Sequence, residues 1–173
     1  MDALENIMTR RSVRSFLEKE IPEADVRTIL EAGMRGPSAV NARDWSFLVV
    51  RSRETLEKMA EANGRPAQPL KKAALGILVL GDLSRAFSRA PDYWIIDAAI
   101  AAENMVLAAH ALGIGSVWLG TWPQTERVDA LRSLLDLPET AVPHSLLAFG
   151  YPADEGANRG FYEEDRVHFE KWQ

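Results

Sequence analysis

The chain contains no cysteine. This absence excludes disulfide bonds, thiolate metal sites, iron–sulfur ligation by cysteine and thiol nucleophiles. Histidine is scarce as well, since only His110, His144 and His168 are present, far apart and outside any His-x-x-x-His or His-Glu pair. We therefore expect no metal site. The sequence also lacks the Gly-x-Ser-x-Gly motif of serine hydrolases.

An excess of positive charge is missing too. The chain has 20 Lys and Arg against 25 Asp and Glu, a net charge of -5, which argues against the basic surface that nonspecific nucleic acid binding needs. The longest apolar stretch, residues 93–113, includes Asp97, Glu103 and His110, and a charge at a bilayer centre costs about 3 kcal/mol. The first residues contain no secretory or lipidation motif. We expect a cytoplasmic protein with no membrane span and no nucleic acid partner.

What the chain does have is enough apolar sequence for one core. Its 173 residues are 47% apolar, which predicts one domain over residues 1–173. Short, nearly continuous apolar runs at 45–50 and 74–80 predict strands that are covered on both faces. Further strands are expected at 116–119 and 144–149. Helices separate these strands without regular alternation, so the pattern favours an α+β fold.

Residues 92–112 are predicted to form the longest helix, and it is apolar around nearly its whole circumference. Such a helix must be buried. Because a chain of this size cannot easily enclose it on every side, we expect a second, identical subunit. The Gly113-Ile114-Gly115 sequence follows this helix rather than a strand, and Trp118 occupies the third-glycine position of a dinucleotide-binding motif. A Rossmann fold is therefore excluded.

Two segments contain candidate ligand-binding residues. The first, Arg10-Arg11-Ser12-Val13-Arg14, places three guanidinium groups in an acidic chain and suits a phosphate. A solvated surface segment is the alternative. The second is Gly36-Pro37-Ser38-Ala39-Val40-Asn41. The side-chain amide of Asn41 can both donate and accept hydrogen bonds, which suits the edge of a flavin or nucleobase. The same sequence is equally typical of a turn that ends a helix, with Asn41 hydrogen-bonded to nearby backbone.

In order and spacing, these segments resemble the nitroreductase family of FMN-dependent oxidoreductases. Trp45 after the second segment and the stretch Leu-Gly-Ile-Gly-Ser-Val at 112–117 extend the resemblance along the chain. The resemblance implies an α+β, nitroreductase-like fold with a central mixed or antiparallel sheet flanked by helices. It also implies an intertwined homodimer, FMN in two equivalent interface sites, and ping-pong electron transfer from NADH or NADPH to a flat acceptor such as a nitroaromatic or a quinone.

The resemblance also implies roles for individual residues. The FMN phosphate would be met by Arg10, Arg11, Ser12 and Arg159, and Arg14 would face the pyrimidine end of the ring. The second subunit would contribute to the flavin site a segment that includes Pro37, Ser38, Ala39 and Asn41. Backbone at Leu119, Gly120 and Thr121 would lie beside flavin N5. No side chain is expected to act as a catalytic acid or base.

The sequence departs from the family pattern at three places. The stretch Asn41-Ala42-Arg43-Asp44-Trp45 lacks the Gln-Pro pair often found before the tryptophan, so Arg43 and Asp44 either form a local ion pair or alter the rim. Ala157 stands where a second basic residue is common. The segment at residues 81–91 is short, whereas longer family members insert helices over the substrate there. The sequence therefore predicts a minimal lid.

Several alternatives stay open. The protein could be a specialised flavin-fragmenting or reductive-dehalogenating relative, a flavin-binding dimer without catalysis, or a plain dimeric scaffold. Glu103 is expected to find a partner across the dimer. Five aromatic residues could stack on a flat acceptor: Phe87, Tyr93, Trp94, Trp118 and Trp122.

Overall fold

The structure is a computed structural model that describes residues 1–156 and 160–172. Short 3-10 turns lie at Ala39–Asn41, Arg65–Lys72 and Glu164–Arg166. The helices are α1 (Ala3–Thr9), α2 (Glu23–Met34), α3 (Arg53–Ala62), α4 (Tyr93–Ala111) and α5 (Thr125–Leu134). The strands are β1 (Trp45–Val50), β2 (Leu75–Asp82), β3 (Gly115–Gly120) and β4 (Ala141–Gly150).

The four strands form one sheet in the order β1-β2-β4-β3. Each neighbouring pair is antiparallel. The α+β prediction is therefore confirmed, with an antiparallel sheet in the described part of the chain. Strands β1 and β3 form the two edges, and the long strands β2 and β4 occupy the centre.

Both faces of the central strands are buried, as the continuous apolar runs predict. Side chains alternate along β2, so Ile77 and Val79 pack into the cluster beneath α2 and α4, while Leu78 packs into a second cluster on the opposite face. That second cluster also contains Leu56 of α3 and Leu131 of α5. The sheet is thus the middle layer between two layers of helices.

Helix α4 lies across one face of the sheet, but this chain alone does not enclose it. Trp94 and Asp97 are buried, whereas 53% of Ile96 and 44% of Tyr93 are exposed. Helix α1 has no buried residue. None of the described helices combines the length and hydropathy that a bilayer crossing requires.

The contact between α4 and the sheet depends on a glycine. A Cβ atom at Gly81 of β2 would lie less than 3 Å from three ring atoms of Trp94. We expect Gly81→Ala to lower the free energy of unfolding by about 2 kcal/mol, since a buried indole cannot move aside without disturbing its neighbours. Urea denaturation followed by circular dichroism measures the change.

Gly120→Ala is the matched control, because Gly120 is also a strand glycine but has no atom within 4 Å of its Cβ position. Its free energy of unfolding should stay within about 0.5 kcal/mol of the wild type. Equal destabilisation by the two substitutions would contradict the close approach of Trp94.

Candidate functional site

The N-terminal arginine segment is held against the end of the sheet by backbone hydrogen bonds. Val13 N donates to Ser116 O at 2.8 Å and Leu17 N donates to Tyr151 O at 2.8 Å. Val13 and Phe16 are buried, and the first packs on Gly115, where a Cβ would come within 2.8 Å of Val13. The segment is therefore fixed in an extended form, with the residues on either side of Val13 pointing away from the core.

Two of the three arginines in this segment have acidic partners in the same chain. Arg10 Nε lies 3.6 Å from Glu103 Oε1. Arg11 Nη2 donates to the backbone oxygen of Asp154 at 2.6 Å and to its Oδ1 at 2.8 Å. Helix α4 brings Glu103 to Arg10 of its own chain, and the expected partner across a dimer stays a prediction.

The arginine segment is not simply a solvated surface. The side chains of Arg10 and Arg11 are 30% and 20% exposed, and of the three arginines only Arg14 is exposed to solvent over much of its surface. His110 of α4 lies nearby, with Nε2 at 2.9 Å from Thr9 Oγ1. Burial lowers the pKa of His110, and the positive charges of Arg10 and Arg11 lower it further. The positive charges of Arg10 and Arg11 therefore act on His110 at this end of α4.

The second segment forms a tight loop after α2. Asn41 N donates to Ser38 O at 3.0 Å, and Arg43 N donates to Ser38 Oγ at 3.0 Å. Pro37 and Asn41 are exposed and Ala39 is half-buried. The backbone is left-handed at Val40, Asn41 and Arg43, with φ of 48°, 58° and 52°. Only the asparagine tolerates this conformation well, so the loop is strained.

A buried carboxyl group lies at the end of this loop. Asp44 is fully buried, and neither of its carboxyl oxygens has a hydrogen-bond partner in the described part of the chain. Burial raises the pKa of Asp44 to about 6, and the buried Asp97 of α4 raises it in the same direction. The expected ion pair between Arg43 and Asp44 is wrong, since Arg43 Nε instead donates to Asn41 Oδ1 at 3.0 Å.

The end of β3 offers open backbone beside a buried polar pair. The Leu119 side chain is buried in the core, so only its backbone is available there. Gly120 is exposed, with nothing within 4 Å of its Cβ position. Asn63 Nδ2 donates to Gly120 O at 3.3 Å, and Thr121 Oγ1 donates to Asn63 Oδ1 at 2.8 Å. Sequence reasoning missed Asn63, because its only local signal is a place at the end of α3 before Gly64.

The aromatic residues divide into core and surface. Trp94 is buried and contacts Trp122 edge to face at 5.1 Å and His144 at 5.9 Å. The expectation that Trp94 could stack on an acceptor is therefore wrong. Trp118 remains 36% exposed at the edge of the sheet. Burial lowers the pKa of His144 to about 4, so this imidazole is neutral between the indoles.

The structure keeps the arginine segment and the 37–41 loop apart in one chain. Both meet α4, the arginines at Glu103 and the loop at Asp97, which accepts a hydrogen bond from Ala39 N at 3.0 Å. Six residues of helix place these two contacts about 9 Å apart along its axis and on different sides. Across residues 1–156 and 160–172, no hydrogen bond or ion pair joins the two segments. Arg159 lies outside the described residues.

The raised pKa of Asp44 implies that the free energy of unfolding depends on pH. The folded protein holds this proton more tightly than the unfolded chain does, so folding becomes less favourable as pH rises from about 4 through 6. Asp44→Asn mimics the protonated form. We expect it to match the wild type at pH 4 and to exceed it by about 2 kcal/mol at pH 8, as measured by urea denaturation.

Glu57→Gln, on the exposed side of α3, is the control, and its stability curve should run parallel to that of the wild type. If Asp44→Asn also ran parallel from pH 4 to pH 8, the buried carboxyl group would have no raised pKa.

Comparison with known proteins agrees with this architecture. The model of the family described as "Nitroreductase family" matches residues 7–79 and 67–151. A Methanothermobacter thermautotrophicus protein, provisionally named NADH dehydrogenase/NAD(P)H nitroreductase, is 45% identical over 172 residues, covering 99% of this chain and 88% of that protein. The FMN reductase [NAD(P)H] of Bacillus subtilis is 26% identical over 187 residues, covering 98% of this chain and 74% of the enzyme.

Solved structures show the same fold. The crystal structure of a Bacteroides thetaiotaomicron protein, again provisionally named NADH dehydrogenase/NAD(P)H nitroreductase, superimposes with a TM-score of 0.92 at 37% identity, over 98% of both chains. The FMN-dependent nitroreductase of Clostridium difficile R20291 superimposes with a TM-score of 0.90 at 28% identity, over 98% of this chain and 99% of that chain. The resemblance seen in the sequence is thus confirmed, and the chain belongs to the nitroreductase family of oxidoreductases.

Proposed function

We propose that the protein is an FMN-dependent oxidoreductase that takes electrons from NADH or NADPH and passes them to a flat, electron-poor acceptor such as a nitroaromatic or a quinone. It works by a ping-pong mechanism, as a cytoplasmic homodimer of single-domain subunits that each span residues 1–173. Its relatives include an FMN reductase [NAD(P)H] and an FMN-dependent nitroreductase. The observation that carries the proposal is the rigid presentation of Arg10, Arg11 and Arg14 at the end of the sheet.

The residues present fit FMN. Its terminal phosphate carries nearly two negative charges, which half-buried Arg10 and Arg11 can neutralise. Their present partners, Glu103 and Asp154, are 48% and 53% exposed, so each carboxylate can turn to water when a stronger anion arrives. The open space above Gly120 suits the close approach of a flat ring to backbone.

Each candidate residue takes a role in this arrangement. Arg10, Arg11 and Ser12 hold the phosphate, and Arg159 completes the phosphate site from the C-terminal tail. Bound FMN supplies the hydride and electron transfer chemistry that no side chain here can provide. Arg14 lies at the pyrimidine end, where its positive charge stabilises negative charge that develops during reduction. The backbone of Leu119 and Gly120 borders the reactive edge of the ring.

The second segment serves the partner's flavin in this proposal. In one chain the loop that contains Pro37, Ser38, Ala39 and Asn41 makes its contact with α4 away from the arginines. Two identical chains can bring the two segments together by symmetry. The exposed apolar side chains on α1 and α4, among them Leu4, Ile7 and Ile96, give such a homodimer an apolar interface.

The part of the site where the acceptor would bind is open to solvent. Residues 83–92, between β2 and α4, form turns and contain no helix, in agreement with the predicted short lid. Trp118 and Tyr93 are partly exposed and can stack on a flat substrate. An open face lets the donor and the acceptor occupy the same place in turn, and water can provide protons without a catalytic side chain.

The cofactor prediction is tested with the purified protein. We expect an absorbance band near 450 nm (a general flavin property) that is bleached by NADH or NADPH without oxygen. Arg10→Ala should weaken FMN binding about tenfold or more but leave riboflavin binding unchanged, because riboflavin lacks the phosphate. Fluorescence quenching of each flavin measures both affinities.

Arg27→Ala is the matched control, because Arg27 forms an exposed ion pair with Glu31 on α2 and should bind both flavins like the wild type. A protein that stays colourless after incubation with FMN would remove the proposal. A yellow protein that NADH and NADPH fail to bleach would instead support a non-catalytic flavin-binding dimer.

The acceptor prediction is tested by NADH and NADPH oxidation with three compounds. We expect nitrofurazone and menadione, both flat and electron-poor, to stimulate oxidation with parallel-line kinetics typical of a ping-pong mechanism. Stimulation by free FMN alone would favour a relative that acts on flavin itself. Stimulation by none of the three would favour a specialised activity such as reductive dehalogenation.

A further inference from the structure

The carbonyl group of Gly120, at the end of β3, is held by two side chains that have no role in the proposed function as stated so far. Asn63 Nδ2 donates to Gly120 O at 3.3 Å, and Arg127 Nη1 donates to the same oxygen at 2.7 Å. Asn63 directly follows α3, and Arg127 lies in the first turn of α5. Two helices on one face of the sheet therefore contribute to holding a single backbone carbonyl.

A second hydrogen bond fixes the orientation of the Asn63 amide. Thr121 Oγ1 donates to Asn63 Oδ1 at 2.8 Å, and both side chains are fully buried. A carbonyl oxygen can only accept, so the amide turns its NH2 group to Gly120 O and its oxygen to the Thr121 hydroxyl. The reverse orientation would leave two buried oxygens facing each other, which is unfavourable. The amide therefore contacts both residues of the peptide unit.

The backbone of Gly120 faces the open edge of β3. In an antiparallel pair, every second residue directs its N–H and C=O to the neighbouring strand, and the residues between direct theirs to the other side. Ser116 O accepts from Val13 N, outside the β3–β4 pair, so Trp118 and Gly120, two and four residues later, face the same edge. Strand β3 ends the sheet, and Gly120 is exposed. Its N–H therefore points away from β4, beside the carbonyl that the two side chains hold.

A glycine at the end of a strand needs such restraints. Glycine adopts far more backbone conformations than other residues, and in the described part of the chain nothing lies within 4 Å of the Cβ position of Gly120. On its N-terminal side, Leu119 is paired with Leu146 of β4. On its C-terminal side, the bonds from Asn63 and Arg127 hold the carbonyl. The peptide groups on both sides of Gly120 are thus fixed, and with them the direction of its N–H.

We propose that Asn63 and Arg127 are positioning residues for the flavin: by holding the carbonyl of Gly120, they aim the N–H of Gly120 at acceptor atoms on the edge of the FMN ring. This inference rests on the proposed function, in which backbone at the end of β3 borders that edge. It assigns a buried amide and an arginine a role that acts through the backbone and not by contact with the ring. A donor that is already fixed in place loses less freedom when the ring binds.

The first test measures the motion of the Gly120 N–H in the flavin-free protein, by nitrogen-15 relaxation with labelled glycine. In the wild type we expect an order parameter of about 0.85, typical of rigid backbone, and in Asn63→Ala and Arg127→Ala a value of about 0.6. Because no flavin is present, this measurement tests the restraint independently of the proposed function. A Gly120 N–H that is mobile in the wild type, or that stays rigid in both variants, would overturn the inference.

The second test measures the affinity for both flavins. In Asn63→Ala and in Arg127→Ala we expect FMN and riboflavin binding to weaken about fivefold, because a hydrogen bond to the ring is misaligned and both flavins have the same ring. Arg10→Ala, in contrast, should weaken the binding of FMN alone.

The midpoint potential of bound FMN separates positioning from a purely structural role, since a loss of fold stability alone does not move it. An N–H donor favours the oxidised ring, whose edge nitrogen accepts a hydrogen bond, over the reduced ring, in which that nitrogen bears a hydrogen. In Asn63→Ala we therefore expect the potential to rise by about 20 mV, which is the fivefold loss converted for a two-electron couple.

Arg132→Ala is the matched control. Arg132 lies on the same helix, and its Nη2 donates to another backbone oxygen, that of Ala141, at 3.5 Å. The substitution removes the same charge from α5 and should leave the order parameter, both affinities and the potential unchanged. Arg127→Lys keeps a cation that can donate to Gly120 O, so it should restore most of what Arg127→Ala loses. Equal losses in Arg132→Ala and Arg127→Ala would contradict the inference.

The outcomes separate the inference from the proposed function. If the variants loosened Gly120 but bound both flavins with the affinity and potential of the wild type, the inference would fail while the proposed function stood. If the wild type bound neither flavin, the proposed function would fail, and the order parameters would still show whether the two side chains hold Gly120. Should Asn63→Ala not fold, Arg127→Ala, at a half-buried position, still decides.

Discussion

The backbone hydrogen bonds between residues 12–17 and the end of the sheet determine where the arginine segment lies. Val13 and Phe16 enter the core beside Gly115 and Gly150. The arginines on either side of Val13 stay at the surface, Arg10 and Arg11 partly exposed and Arg14 exposed. A flexible arginine segment would lose side-chain and backbone entropy each time it closed on an anion. Here the core has already ordered that backbone, so in the proposed function the binding of a phosphate needs only the ends of the side chains to turn.

Helix α4 connects the parts of the site that are far apart in sequence. Its sheet-facing side is core, while Asp97 supports the loop after α2 and Glu103 contacts the arginine segment. The polar residues Asp97 and Glu103, which interrupt this apolar helix, therefore mark its contacts with the loop and with the arginine segment. In a membrane-spanning helix they would be a penalty, whereas here each one has a defined partner or neighbour in the fold.

Local hydropathy predicted most of the fold because strand and helix formation depend on nearby residues. The apolar runs at 45–50 and 74–80 correspond to β1 and β2 within two residues. The segments of the candidate site came from motif spacing and family resemblance, and their roles remain predictions.

The residues that the sequence misjudged depend on contacts between parts of the chain that are far apart in sequence. Asp44 beside Arg43 suggests an ion pair, and only the packing of distant parts of the chain decides that its carboxyl group is buried. Asn63 acquires its partners from Gly120 and Thr121 in the same way.

The turns at residues 83–92 join two elements that are each anchored independently, β2 by its neighbouring strands and α4 by the core. Lengthening such a connection costs only about 0.6 kcal/mol for each doubling of its length. The region above the sheet can therefore gain or lose whole segments during evolution while the arginine segment and the sheet stay unchanged. An ancestral chain with this layout could acquire new reaction partners by insertion at one point, without any compensating substitution in the core.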